Sequence, residues 1–366
     1  MRAFKTVYMR GGTSKALFFH RKDLPEDSSQ WAKLFMKVMG TPDPKQIDGM
    51  GGTYPVTSKV AVIAPSEREG IDVDYTFYQI GIDVPVVESQ ANCGNISSAV
   101  GPFAVDEGLV TVTEPVTVVR IWNTNTGKVI EEHVRVKDKK AMTSGSQSIP
   151  GVPGTGAPID MYFEQPGGAV TGRMFPSGHK QDVLQAPGYD PVTVTMIDCS
   201  NPVVFIRAMD LGIQGTELSE LGENKKVMAH VEAIRREAAV FFGFAPETLS
   251  VPKVSVISPP QEYVSSEGRI ATEQEMDLCA RVITVGKFHK THPITVGVAT
   301  AAAACIPGTI VQELAVGAGR ENKVRIGQPG GILDIRVVMD GENVLKGGAV
   351  RTARRIMDGY VYVEDD

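Results

Sequence analysis

Cysteine is scarce and scattered in this chain. Cys93, Cys199, Cys279 and Cys305 lie far apart with no CxxC pair, which excludes a disulfide framework and a zinc site of the usual spacing. The thiols read as reduced. Among six histidines the one close pair is His289 and His292, with Lys290 between them and Pro293 behind; that is a poor chelate, so no metal is expected. A surplus of positive charge is also missing. Lys plus Arg number 37 against 43 Asp plus Glu, a net charge of −6, which argues against nucleic acid or an anionic membrane surface as partner. An anion must then be held by a local site. No apolar run reaches membrane-spanning length, the longest being the Ala-rich stretch Ile294 to Ile306, and the first residues lack the apolar core of a signal peptide; a cytoplasmic location away from membranes is expected.

What remains is ordinary for a folded protein: 42% hydrophobic and 22% charged residues in 366. That length exceeds what one core serves, so two domains are expected. An internal repeat supports this. Val56-Thr-Ser-Lys59-Val-Ala-Val-Ile-Ala-Pro65 matches Ser250-Val-Pro-Lys253-Val-Ser-Val-Ile-Ser-Pro259 in register at Lys, Val, Val, Ile and Pro. The flanks repeat in the same order. Each copy follows a β-rich opening (Phe4 to Phe19; Val192 to Ile206) and a helical pattern (through Trp31, Leu34, Phe35 and Val38; through Val231, Ile234 and Ala238). Each precedes a strand (Val73 to Ile80; Ala280 to Val285) and a helix of small residues (Asn95 to Val105; Pro293 to Ala304). Helices without a charged face must be buried nearly all round. Each half is thus an α+β unit in which a curved, mostly antiparallel sheet wraps a central helix. Turn signals through Thr111 to Val183 place that segment in the first sheet, and the boundary falls near Pro187-Gly188, giving domains 1–186 and 187–366. The last strand, about 350–366, is free to pack back on the first domain.

Three places could carry chemistry. Gln90-Ala-Asn-Cys93-Gly-Asn puts a thiol just before a buried helix, where free N–H groups favour an anion and make a thiol more acidic; the alternative is a small core residue. Lys59, beside Thr57 and Ser58, interrupts a β-branched run after the glycine-rich Asp48-Gly-Met-Gly-Gly-Thr53. Desolvated in a cleft, it could act as a general base; the alternative is an exposed strand lysine. Met9-Arg-Gly-Gly-Thr-Ser-Lys15 reads either as a tight hairpin turn or as a backbone nest for a carboxylate.

Together with Gln46-Ile-Asp-Gly-Met-Gly-Gly52 and Arg351-Thr-Ala-Arg-Arg-Ile-Met-Asp-Gly-Tyr360, these motifs resemble the PrpF-type methylaconitate isomerase family, whose relatives include 3-methylitaconate isomerases and 4-oxalomesaconate tautomerases. The resemblance implies a diaminopimelate-epimerase-like fold of two pseudo-symmetric domains with a small unsaturated polycarboxylate between them, and no cofactor. A homodimer is compatible with it. It places the catalytic lysine on Lys59 and the cysteine on Cys93, with substrate-side contacts at Gly12, Thr13, Ser14, Ser58, Asn92, Gly94 and Asn95. Arg281 is the expected carboxylate anchor, and Ser177 lies in a loop similar to one near the family's cleft. Two features depart from the family pattern. Gln328-Pro-Gly-Gly331 stands where relatives often carry His-Pro-Ser/Ala-Gly, and the second small-residue helix opens at Pro293 with no cysteine. The expected reaction is a 1,3-allylic proton shift. Racemisation or epimerisation of an amino acid, and non-catalytic binding of a carboxylic acid, are the alternatives.

Overall fold

The computed structural model describes residues 1–89, 92–248, 251–284 and 286–364. The chain divides into two compact units, Met1–Tyr162 with Val350–Asp366 and Phe163–Ala349.

In the first unit β1 (Arg2–Gly11) and β2 (Ser14–His20) form a tight hairpin in which Gly11 pairs with Ser14. Helix α1 (Trp31–Met39) carries Trp31, Leu34, Phe35, Val38 and Met39 on one stripe and stops at Gly40, whose φ of 79° lets its N–H reach back to the Lys37 carbonyl. β3 (Lys59–Pro65) runs parallel to β2 and antiparallel to β4 (Val73–Ile80). β5 (Val116–Asn123) is parallel to β4 and makes a hairpin with β6 (Lys128–Lys137), turned at Gly127 with φ 63°. The final strand, Ala353–Val363, lies antiparallel to β1.

Strand alternation then sorts the side chains. Leu17, Phe19, Val60, Val62 and Ile80 pack with the α1 stripe. The opposite face takes the small-residue segment, seen in the Phe18 ring lying tilted 5.5 Å from that of Phe103; burying each such ring contributes about 1.5–3 kcal/mol. That segment was expected as one helix and is two, α2 (Gly94–Ser97) and α3 (Val100–Asp106). Pro102 has no N–H to give, and the Gly101 N–H goes instead to Glu132 Oε2 at 2.8 Å, so the helical ladder breaks between them.

The second unit repeats the order. β7 (Val192–Cys199) and β8 (Asn201–Arg207) form a hairpin, α4 (Lys225–Phe241) follows, and β9 (Lys253–Ser258) runs parallel to β8. β10 (Leu278–Thr284) is antiparallel to β9, α5 (Ile294–Cys305) follows, and β11 (Lys323–Gln328), parallel to β10, makes a hairpin with β12 (Gly331–Asp340). Val227, Val231, Ile234 and Ala238 of α4 pack on Val254, Val256 and Ile283, whereas α5 is buried on every side from Ile294 to Ala304. Antiparallel pairings dominate in both units, as expected, and the parallel neighbours are β2 with β3, β4 with β5, β8 with β9 and β10 with β11. The division also differs from Pro187-Gly188: Asp182–Leu184 pairs with β7, so the end of the Thr111 to Val183 segment lies in the second unit. Ser250 and Val285, named in the repeat, lie outside the described residues. Among the described residues no helix is long and apolar enough to cross a membrane.

Candidate active site

The register of the first sheet assembles the site. In antiparallel pairing Lys59 lies opposite Gln79, Ala61 opposite Phe77 and Ile63 opposite Tyr75, so these six share one face. Ala61 is level with Phe18 in β2, whose ring meets Phe103 of α3. Lys59 therefore projects from the face that α2 and α3 cover. It is buried, with Nζ 2.6 Å from Gln79 Oε1 and 4.9 Å from the centre of the Phe77 ring. Gln79 donates its amide N–H groups to the carbonyls of Ser58 at 2.9 Å and Pro55 at 3.0 Å. Its oxygen is thereby turned toward the lysine, an acceptor that holds the amine in place.

The β1–β2 turn reaches the same helix. A side chain at Gly11 would put its Cβ 2.4 Å from the Asn95 carbonyl oxygen, so only glycine permits this approach. Gly12, at φ 51°, donates its N–H to Thr352 O at 3.0 Å, and Arg10 clamps the carbonyls of Gly12 and Thr352 at 2.9 and 2.8 Å. Asn95 ties the turn to α2 by donating to Thr13 Oγ1 at 2.9 Å. Cys93 stands at the N-cap of α2, partly exposed, with Gly94, Asn95 and Ile96 in the first helical turn, whose N–H groups have no carbonyl behind them in the helix. Asn92 Oδ1 accepts from Ser97 Oγ at 3.0 Å and from Asn123 Nδ2 at 3.2 Å. Lys59, Cys93, Asn92, Thr13, Ser14, Gly94 and Asn95 thus belong to one unit and to the elements meeting at α2.

Beneath the helix the same face carries two buried acids. Tyr75 and Glu132 are fully buried, and among the described residues the Tyr75 hydroxyl and Glu132 Oε1 have no hydrogen-bond partner. Burial pushes the Glu132 carboxyl up to about 8, so it is neutral at pH 7. Burial also drives the Tyr75 phenol well above its ordinary value, with Cys93 and Glu132 adding to the rise and the nearby Ser97 hydroxyl opposing it.

Several expected contacts are corrected. Arg281 is fully buried, and its guanidinium donates to the carbonyls of Glu217, Ala280, Gly327 and Thr216 at 2.6 to 3.1 Å over the Tyr263 ring. It pairs with Val256, which packs against α4, so its face of the sheet is the one away from α5. Four of its five N–H groups are committed to backbone, and it does not serve as a free carboxylate clamp. Ser58 is also fully buried, accepting from Gln46 Nε2 at 2.8 Å, which makes it a support. The Gly12 N–H is occupied, so the turn is a hairpin whose Gly12 amide is not available to an anion. Ser177, in the second unit, donates to Asp182 Oδ2 at 2.7 Å and closes its own loop. The helix behind Cys93 is a single turn, so its dipole is much weaker than that of the continuous helix expected. Gln90, at the head of the cysteine motif, lies outside the described residues. Sequence reasoning missed Gln79, Tyr75, Asn123 and Glu132, and gave Gln46 a place in a motif but no role; for Gln79 and Tyr75 the strand alternation around Lys59 held the signal.

The PrpF protein family model matches residues 1–364. The chain belongs to the PrpF family. It is 42% identical to the 3-methylitaconate isomerase of Eubacterium barkeri over 98% of this chain and 96% of that one. It is 39% identical to the 2-methyl-aconitate isomerase of Shewanella oneidensis, again over 98% and 96%. A crystal structure of methylitaconate-delta-isomerase superposes with a TM-score of 0.90 at 40% identity, covering 99% of this chain and 96% of that one. A hydroxyproline epimerase structure covers 100% of this chain and 94% of its own at a TM-score of 0.56 and 10% identity, which shows the shared epimerase fold. Among the described residues no group of three His, Cys, Asp or Glu side chains is placed to hold a metal ion.

Proposed function

We propose that this PrpF-family protein is an isomerase that moves a proton between the ends of an allylic system in a small unsaturated di- or tricarboxylic acid, with Lys59 and Cys93 as the proton-carrying groups. The observation that carries this reading is the register that points Lys59 toward α2, at whose N-cap Cys93 stands partly exposed. One group takes a proton from a carbon acidified by the adjacent double bond and carboxylate, breaking a C–H bond and leaving a dienolate. A proton is returned to the carbon two positions away, the double bond migrates, and nothing is gained or lost. Free N–H groups in the first turn of α2 and the amide of Asn92 suit the charge that develops on the carboxylate. The relatives' substrates, 3-methylitaconate and 2-methylaconitate, are of this class, as is 4-oxalomesaconate.

Incubation with these acids in D₂O, followed by proton NMR, tests it. At least one should isomerise and take up deuterium at the terminal carbons of the shift. Lys59→Met should fold and lose turnover by at least about 10²-fold, the usual worth of a general base. Absence of exchange on every acid, or a variant within tenfold of wild type, overturns the assignment.

A further inference from the structure

The thiol at residue 93 is backed by only one turn of helix, so the helix end alone gives little support to a thiolate there. The buried face below it offers one group. Tyr75 leaves β4 on the face shared with Lys59, pairs with Asn123 across β5, and is buried completely, its hydroxyl without a hydrogen-bond partner among the described residues. Its neighbours are Ser97, one helical turn after Cys93, and Cys93 itself on α2, with Glu132 on β6 behind it. Ser97 Oγ sits 3.0 Å from both the Cys93 carbonyl and Asn92 Oδ1. A buried phenol without a partner is costly in a folded protein unless it has a use.

We propose that Tyr75 is a positioning residue that stabilises the thiolate of Cys93, its hydroxyl turning to donate toward the sulfur when the thiol loses its proton. This rests on the reading of Cys93 as an acid–base group. The phenol is suited to the task because it stays protonated: burial and its two acidic neighbours hold it well above neutrality, so it keeps a proton to donate. Glu132, neutral at pH 7, holds the Gly101 N–H through Oε2, and its Oε1 makes no hydrogen bond to the phenol. The charged forms that face Tyr75 are therefore the Cys93 thiolate from α2 and, in alkaline solution, the Glu132 carboxylate from β6.

The test is the rate of iodoacetamide modification of Cys93, measured by peptide mass spectrometry without substrate between pH 6 and 10. In Tyr75→Phe the modification at pH 7.5 should slow by about three- to tenfold, with the midpoint moving up by roughly half to one pH unit. The melting temperature should hold or rise, because an unpartnered hydroxyl has gone. Glu132→Gln removes the alkaline carboxylate and should move the midpoint down. Profiles matching wild type within about 1.5-fold in both variants would refute the proposal. Turnover of Cys93→Ser tests the acid–base reading separately: if that variant is fully active while Tyr75→Phe still shifts the alkylation profile, Tyr75 tunes the thiol and the thiol is not catalytic.

Discussion

Glu132 should give the protein a stability profile that declines with rising pH, and Glu132→Gln should remove that decline. The carboxyl is fully buried on β6, holds the Gly101 N–H with one oxygen and leaves the other unpartnered. Burial raises it from 4.5 to about 8, the Gly101 bond opposing the rise in part. A raised pKa means that the native state keeps a proton the unfolded chain releases. The stabilising share is complete below pH 4.5 and is lost as pH climbs to 8. At 1.36 kcal/mol per unit the whole span is about 5 kcal/mol, of which about 3 is spent by pH 7. His292, fully buried and pushed down to about 3, chiefly by burial and the nearby His289 and Arg281, has the opposite sign: its share grows from pH 3 to 6.5. Between pH 4.5 and 6.5 the two slopes cancel, and above 6.5 the Glu132 decline stands alone. Gln keeps an acceptor for Gly101 and never ionises. In urea titrations the variant and wild type should agree within about 1 kcal/mol at pH 4.5. The variant should then gain about 1.4 kcal/mol per pH unit up to pH 8 and stay level beyond. Parallel curves from pH 5 to 9 would show that Glu132 is ionised in the native state or reached by solvent, and the reasoning would fail.

Two further outcomes follow from the same geometry. Gly11→Ala places a methyl group 2.4 Å from a backbone oxygen of α2 that no side-chain rotation can relieve; it should cost about 1–3 kcal/mol in a urea melt and lower kcat/KM by moving the cysteine turn, and wild-type values for both would show that the turn is not packed there. Iodoacetamide should modify Cys93 before Cys199, Cys279 and Cys305, because Cys199 and Cys279 are buried and burial pushes the Cys305 thiol up to about 11. A saturating unsaturated polycarboxylate should slow only the reaction at Cys93. Substrate-insensitive alkylation would leave Cys93 as a packing residue.

The duplication was legible because a strand buried on both faces must be apolar throughout, and Lys-Val-x-Val-Ile-x-Pro carries that signature twice. The α1 and α4 stripes were legible for the same reason of period. Three things were not. The break before α3 depends on a carboxylate from β6, about thirty residues away, capturing the Gly101 N–H, although Pro102 was in plain view. The fate of Arg281 depends on parity: Val62 pairs with Thr76 and Val256 with Arg281. The arginine is therefore the counterpart of Thr76, one residue past the position matching Tyr75. A single step along a strand exchanges the faces, and nothing local in the sequence reveals the four carbonyls waiting on the far side. The unit boundary was misplaced because Pro187-Gly188 is a strong turn signal, yet it merely joins Asp182–Leu184 to β7 within one sheet.

The two units share a topology and differ in what occupies equivalent positions. Lys59 opens β3 as Lys253 opens β9, but the residue matching Tyr75 is Ala280, and the N-cap matching Cys93 is Pro293. Proline at that cap offers neither an acidic proton nor an N–H. Cys305 sits at the opposite end of α5, where burial keeps its thiol protonated. The second unit thus lacks at its helix start the thiol that the first unit has. A racemase working with paired thiols needs an acid and a base on opposite faces of one carbon, and this asymmetry removes one of them. An allylic shift asks for less. Its two carbons lie two apart in one planar system, so under the proposed assignment Lys59 and Cys93 serve both, and the asymmetry that removes a two-thiol racemisation leaves isomerisation intact.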